Sequence, residues 1–149
     1  MKRKVLLLSW LAIASPAVGE SVTLEASNAK FMADVVLNDR LTVRALVDLG
    51  ATTVIICERM ARLLGLPRGE EIVLRTVGER LTAHRTHVNV IRIGSIELDA
   101  VNAVILGDDR CDEVLLGMSF LRRLHLTMEG DKLVLRLDGA KPTGNNVKN

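Results

Sequence analysis

Tyrosine is missing from this chain of 149 residues, and the remaining aromatics are two phenylalanines and one tryptophan. It also lacks an apolar run long enough to cross a bilayer, since Val5 to Ala14 falls short of the roughly 20 residues a spanning helix needs. Lys2, Arg3 and Lys4 precede that run, and Ala17-Val18-Gly19 follows it with small residues at a cleavage position. This is the pattern of a secretory leader over residues 1–19. The expected destination is periplasmic or secreted, with inner-membrane anchoring, and so contact with a membrane, only if the leader is retained. An excess of one charge is missing too. The leader takes three of the 20 basic residues and none of the 18 acidic ones, leaving the rest near −1 rather than the +2 of the whole chain. Trp10 leaves with it, so Phe31 and Phe120 are the last aromatics, and no nucleic-acid partner is expected. Cysteine is scarce. Cys57 and Cys111 could close one disulfide in an oxidising compartment, but nothing in a sequence fixes their distance, and two small buried apolar side chains is the reading favoured here.

The length allows one small domain with a single core, assigned to residues 20–138, and a polar tail over 139–149 that is expected to be disordered. Most of the domain reads as strand. Lys30 to Leu37 and Leu41 to Val47 flank the turn dipeptide Asn38-Asp39, and Thr52 to Ile56 continues as a short β-branched strand. Glu58 to Leu64 places Met60, Leu63 and Leu64 at helical spacing before Gly65 and Pro67 end it. Ile72 to Arg75 and Leu81 to His84 predict a projecting hairpin with Thr76-Val77-Gly78-Glu79-Arg80 at its tip. Val88 to Ile93 and Ile96 to Ile105 flank the hairpin signal Gly94-Ser95. Val114 to Leu116 meets Gly117 and a helix over Met118 to Leu124, and Leu126 to Met128 and Lys132 to Leu137 close the domain.

The run Ala45-Leu46-Val47-Asp48-Leu49-Gly50-Ala51-Thr52-Thr53 carries the chemistry. It drives a carboxylate into an apolar strand and turns at once, and a buried Asp requires either a strong partner or a chemical task. The pattern of apolar strand, glycine and helix recurs at Val114-Leu115-Leu116-Gly117 and Met118 to Leu124, but that copy has no acid. Chemistry requiring two carboxylates would therefore need a second chain.

Leu46-Val47-Asp48-Leu49-Gly50-Ala51-Thr52, the helix ending Ala61-Arg62-Leu63-Leu64-Gly65-Leu66, and Leu115-Leu116-Gly117-Met118-Ser119-Phe120-Leu121 together resemble the retropepsin-like aspartic proteases of bacteria. The resemblance spans Phe31 to Leu137. It implies an all-β, closed acid-protease barrel with a flap hairpin and one or two short helices, working as a homodimer without metal or cofactor on peptide or protein substrates. Asp48 would be the catalytic residue. Gly50, Ala51 and Thr52 would line the substrate cleft, with Thr76, Val77 and Gly78 over it in the flap. Leu49, Leu116 and Gly117 would support the active-site loop. The family normally has Thr or Ser after the catalytic Asp, whose hydroxyl bonds across the dimer axis; Leu49 has no donor or acceptor to offer there.

Asp-Leu-Gly-Ala-Thr-Thr also resembles the first phosphate loop of actin-like and sugar-kinase ATPases. That fold needs two large lobes, and the about 100 residues after the motif cannot supply them. His84 and His87 have no acidic partner at ligand spacing and are expected as exposed polar residues rather than a metal site, and His125 as isolated. Asp108, Asp109, Asp112 and Glu113 read as a solvated acidic loop.

Overall fold

The computed structural model describes residues 19–75, 78–107, 111 and 113–138. The leader before Gly19, the tail from Gly139, the flap residues Thr76 and Val77, and Asp108, Asp109 and Asp112 of the acidic cluster lie outside the described residues. The elements in chain order are β1 (Glu20–Ser27), β2 (Lys30–Leu37), β3 (Leu41–Val47), β4 (Val54–Cys57), α1 (Glu58–Leu64), β5 (Glu71–Arg75), β6 (Arg80–Ile93), β7 (Ile96–Leu106), β8 (Val114–Leu116), α2 (Met118–Leu121), β9 (His125–Glu129) and β10 (Lys132–Leu137).

Alternation sets the strands. In β2, Ala33, Val35 and Leu37 are buried while Asp34 faces solvent. Asn38 and Asp39 both adopt left-handed φ, 50° and 53°, as the tight β2–β3 hairpin demands. The strands pair in the order β5-β6-β7-β4-β8-β3-β2-β1-β10-β9. Val36 opposite Arg92 and Leu37 opposite Ile91 then join β2 back to β6, closing the middle of the sheet into a barrel. Leu37, Ile56, Ile91, Ile105, Leu116 and Phe120 fill its interior, each nearly inaccessible to water. The β5–β6 hairpin projects from one side, and β1, β10 and β9 extend the sheet from the other. Arg92 clasps two turns, reaching Asp39 at 2.7 Å and Glu97 at 2.6 Å. Its hydrogen bond to Glu97, with both carboxylates nearby, raises its pKa above the usual arginine value.

The expected elements are present with four changes. β1 is an additional strand, pairing with β10 along Glu20 to Glu25 and turning into β2 through Asn28 and Ala29 at positive φ. β6 runs unbroken from Arg80 to Ile93, because its polar residues face solvent on a strand paired first with β5, from Arg80 to His84, and then with β7, from Ala83 to Ile93. α2 stops at Leu121, and Leu124 is buried from the turn that follows. In α1 the inward face is Met60, Ala61 and Leu64, whereas Leu63 is exposed, since a helix this short offers one narrow stripe to the barrel.

The cysteines are not the two independent thiols favoured from sequence. Cys57 and Cys111 are joined in a disulfide, with Cα atoms 5.3 Å apart. Their separation of 54 residues was no obstacle, because β4 and β8 are neighbours and bring the start of α1 beside the segment entering β8. A closed loop of that length restricts the unfolded chain substantially. Reduction, or the double change Cys57→Ser and Cys111→Ser, is expected to cost about 2–4 kcal/mol, read as a lower midpoint in denaturant titration with and without thiol.

Candidate active site

Asp48 is the first residue beyond β3, and its position is set by strand pairing. β3 runs parallel to β8, with Val47 opposite Leu116, and the Asp48 N–H donates to the Leu116 carbonyl at 3.1 Å. β8 in turn lies against β4 at Ile55 and Leu115. The loop from Asp48 to Thr53 is therefore held between strands that all meet at Gly117. Its return is fixed by the Met118 N–H, which donates to the Ala51 carbonyl at 2.8 Å.

Gly117 is buried where these segments cross. A β-carbon there would overlap the Thr53 carbonyl and approach the Ala51 oxygen to 2.7 Å, so only glycine lets the two loops interlock. Ser119 completes the fastening. Its Oγ accepts the Val54 N–H at 2.9 Å and donates to the Asn102 carbonyl at 2.7 Å. The Thr53 hydroxyl lies 3.1 Å from the same carbonyl. Sequence reading missed Thr53 and Ser119 as supports, although Gly117-Met118-Ser119 was visible as a unit.

The Asp48 carboxylate is half-buried, not buried as the apolar run suggested, because the strand ends one residue earlier and the loop opens on solvent. Its Oδ1 accepts the Gly50 N–H at 2.8 Å, which fixes the side-chain orientation. The carboxylate faces a groove of about 530 Å³ whose floor includes Gly50, Ala51, Thr52 and Thr53. Ile55, Leu115 and Leu74 give it an apolar wall, and Arg75 of β5 stands at its edge. A second hollow of about 350 Å³ continues from Thr52, Thr53 and Leu74 towards Arg85, Thr86 and Asn102.

Of the residues singled out from sequence, Asp48, Gly50, Ala51 and Thr52 come together at the groove, and Leu116 and Gly117 lie beneath the loop. Leu49 points away from the core and is 52% exposed. Gly78 sits by the flap tip beside Arg75, Glu79 and Arg80, while Thr76 and Val77 lie outside the described residues. The groove residues Ile55, Leu74, Arg75 and Leu115 were not foreseen, because only the folded pairings bring the hairpin over β4 and β8.

His87 is exposed as expected, whereas His84 and His125 each have an acidic neighbour. His84 lies on β6 opposite Glu71 of β5, with Nε2 4.0 Å from its carboxylate. His125 Nε2 is 2.6 Å from Asp138, placed there by the return of β10 beside β9. Both partners are exposed, and neither pair borders the groove.

Residues 33–123 match the family described as "gag-polyprotein putative aspartyl protease". Among solved structures, the chain is similar to a retropepsin-like aspartic protease from Rickettsia conorii, with 24% identity and a TM-score of 0.66. That match covers 80% of this chain and 92% of the other. It is also similar to EIAV protease complexed with the inhibitor HBY-793, at 19% identity and a TM-score of 0.51, covering 64% of this chain and 88% of that one. No curated protein matches it significantly. The interlocked Asp48 and Gly117 loops, the closed barrel and the family match agree: the chain belongs to the gag-polyprotein aspartyl protease family and has the retropepsin-like fold.

Proposed function

We propose that the protein is an aspartic endopeptidase in which two copies of the chain each contribute Asp48 to one site. The observation that carries this reading is Asp48 itself, a carboxylate oriented by the Gly50 N–H and open to a groove beneath a projecting hairpin. One chain presents one such carboxylate, so the two-acid chemistry is completed across a dimer axis. Two carboxylates in contact cannot both ionise cheaply, so one member of the pair keeps a proton. The charged member takes a proton from a water. The protonated member donates to the scissile carbonyl, and the water oxygen adds to the carbonyl carbon, giving a tetrahedral intermediate without an acyl-enzyme. Gly50 and Ala51 let an extended peptide approach the loop closely, while the flap excludes solvent.

The purified protein is expected to cleave an unfolded protein substrate best at acidic pH and to lose that activity with pepstatin. Sedimentation across a concentration series should give a dimer. A strictly monomeric, inactive chain would sink the proposal.

Leu49 supports a second reading, a catalytically silent relative that binds extended peptides. Its exposed side chain can pack against its counterpart in the dimer, but it cannot form the hydroxyl bond usual across the axis. If the parent proves weak, Leu49→Thr separates the readings: a gain of about tenfold in kcat/KM identifies the missing hydroxyl as the defect, whereas no gain favours the silent form.

We also propose that the protein is exported to the periplasm or beyond. The leader pattern motivates this, and the Cys57–Cys111 disulfide supports it, since such bonds persist in oxidising compartments. Fractionation with and without the first 19 residues tests it.

A further inference from the structure

We propose that Arg75 makes this cleft select peptides carrying a carboxylate side chain close to the bond to be cut. Among the described residues that line the groove, Arg75 is the one cation and Asp48 the one anion, and the nearby wall is apolar. Arg75 also borders the shallow hollow at the flap tip with Gly78, Glu79 and Arg80, so it stands where the flap meets the cleft.

Its position in the hairpin is electrostatically unusual. Arg75 is directly opposite Arg80 in the β5–β6 pairing. Like charges facing each other across antiparallel strands repel. From Arg75 to Arg80 the hairpin contains these two cations and the single acid Glu79, leaving an excess of positive charge. A substrate carboxylate entering beneath the flap offsets that excess. A basic side chain there adds a third cation to the two already opposed.

Arg85, at the far end of the second hollow, does not share this role. Its Nε donates to Glu70 at 3.2 Å, so its charge is already answered within the fold. The preference is therefore assigned to Arg75 and to positions near the scissile bond, where Leu74, Ile55 and Leu115 receive an apolar neighbour. A two-fold axis through the Asp48 pair would give the proposed dimer two copies of Arg75, one from each chain. Acidic residues on either side should then be favoured.

The selection rests on the peptidase reading for its cleavage measurement but can be read separately by binding. Matched fluorescent peptides with an apolar centre and Glu, Gln or Lys on either side are offered to the parent for cleavage and to Asp48→Asn for anisotropy. At low salt the Glu peptide is expected to exceed the Lys peptide by about tenfold in both measurements, with Gln between and the ratio shrinking as salt is added. Arg75→Gln should flatten the series and Arg75→Glu invert it. The latter places Glu opposite Arg80, replacing repulsion with attraction, so hairpin folding is not at risk. Equal affinities, a Lys preference in the parent, no detectable peptide binding, or a Glu preference that survives Arg75→Glu would each overturn the proposal. If the parent cleaves none of the peptides, the peptidase reading fails while the binding series still decides the role of Arg75.

Discussion

Replacing Asp48 by Asn is expected to lower kcat/KM on an unfolded protein substrate by about a thousandfold or more, while the fold and dimer survive. Asparagine has nearly the same shape, and its side-chain oxygen can still accept the Gly50 N–H that orients the carboxylate at 2.8 Å. The loop therefore keeps its geometry. What disappears is the proton acceptor, and with it the pair that shares one proton. Thermal melts and sedimentation of the variant should match the parent, so the lost activity can be assigned to chemistry. A mixing experiment adds a test that one chain alone could not pass. When parent and variant are mixed equally and allowed to exchange, random pairing leaves about one quarter of the dimers with two acids. Activity should fall to about that fraction per dimer, rather than the half expected if each chain acted alone. Undiminished cleavage by Asp48→Asn would remove Asp48 from the mechanism.

The second large effect is on folding. Gly117→Ala is expected to cost about 4–5 kcal/mol, enough to abolish a cooperative unfolding transition in a domain of marginal stability. The cause is space, not backbone conformation. Gly117 has φ −90° and ψ −172°, which any residue can adopt. A single added carbon, however, would lie within the Thr53 carbonyl and 2.7 Å from the Ala51 oxygen. Neither atom can readily retreat. The Ala51 carbonyl accepts the Met118 N–H, and Thr53 is tied to Asn102 through its hydroxyl. Gly65 provides the contrast. It ends α1 at φ 64°, and a β-carbon added there would meet nothing within 4 Å, so Gly65→Ala should cost only about 1 kcal/mol of backbone strain. Denaturant midpoints for the two variants should therefore rank opposite to an order based on φ alone.

Much of this architecture could be read from local pattern. The limits of β2, β3, α1, β8 and β10 follow from alternation, helical spacing and the residues that stop them. β1 was overlooked because Ser21, Thr23 and Glu25 dilute its inward residues, Val22, Leu24 and the small Ala26. Those residues become strand-forming only when β10 pairs beside them. The continuity of β6 was hidden for the same reason, since Arg85 to His87 read as a break until β7 runs alongside. At the site, Asp48, Gly50 and Gly117 belong to short motifs and were recognisable. Leu74 and Arg75 were not, because their relation to Asp48 depends on where the hairpin folds over the barrel. The disulfide was likewise a question of proximity between strands.

The crossing at Gly117 also imposes an order in time. A ribosome delivers Asp48 long before Gly117, Met118 and Ser119, yet the Asp48 N–H, the Ala51 carbonyl and the Val54 N–H all find partners in that later segment or just before it. A nascent or prematurely terminated chain thus contains the acid without the clasp that aims it. The contacts are distant in sequence, so they belong to the late, slow part of folding. Assembly of the groove is consequently a checkpoint on chain completion: a fragment ending before Gly117 has the carboxylate but no organised place for it to act.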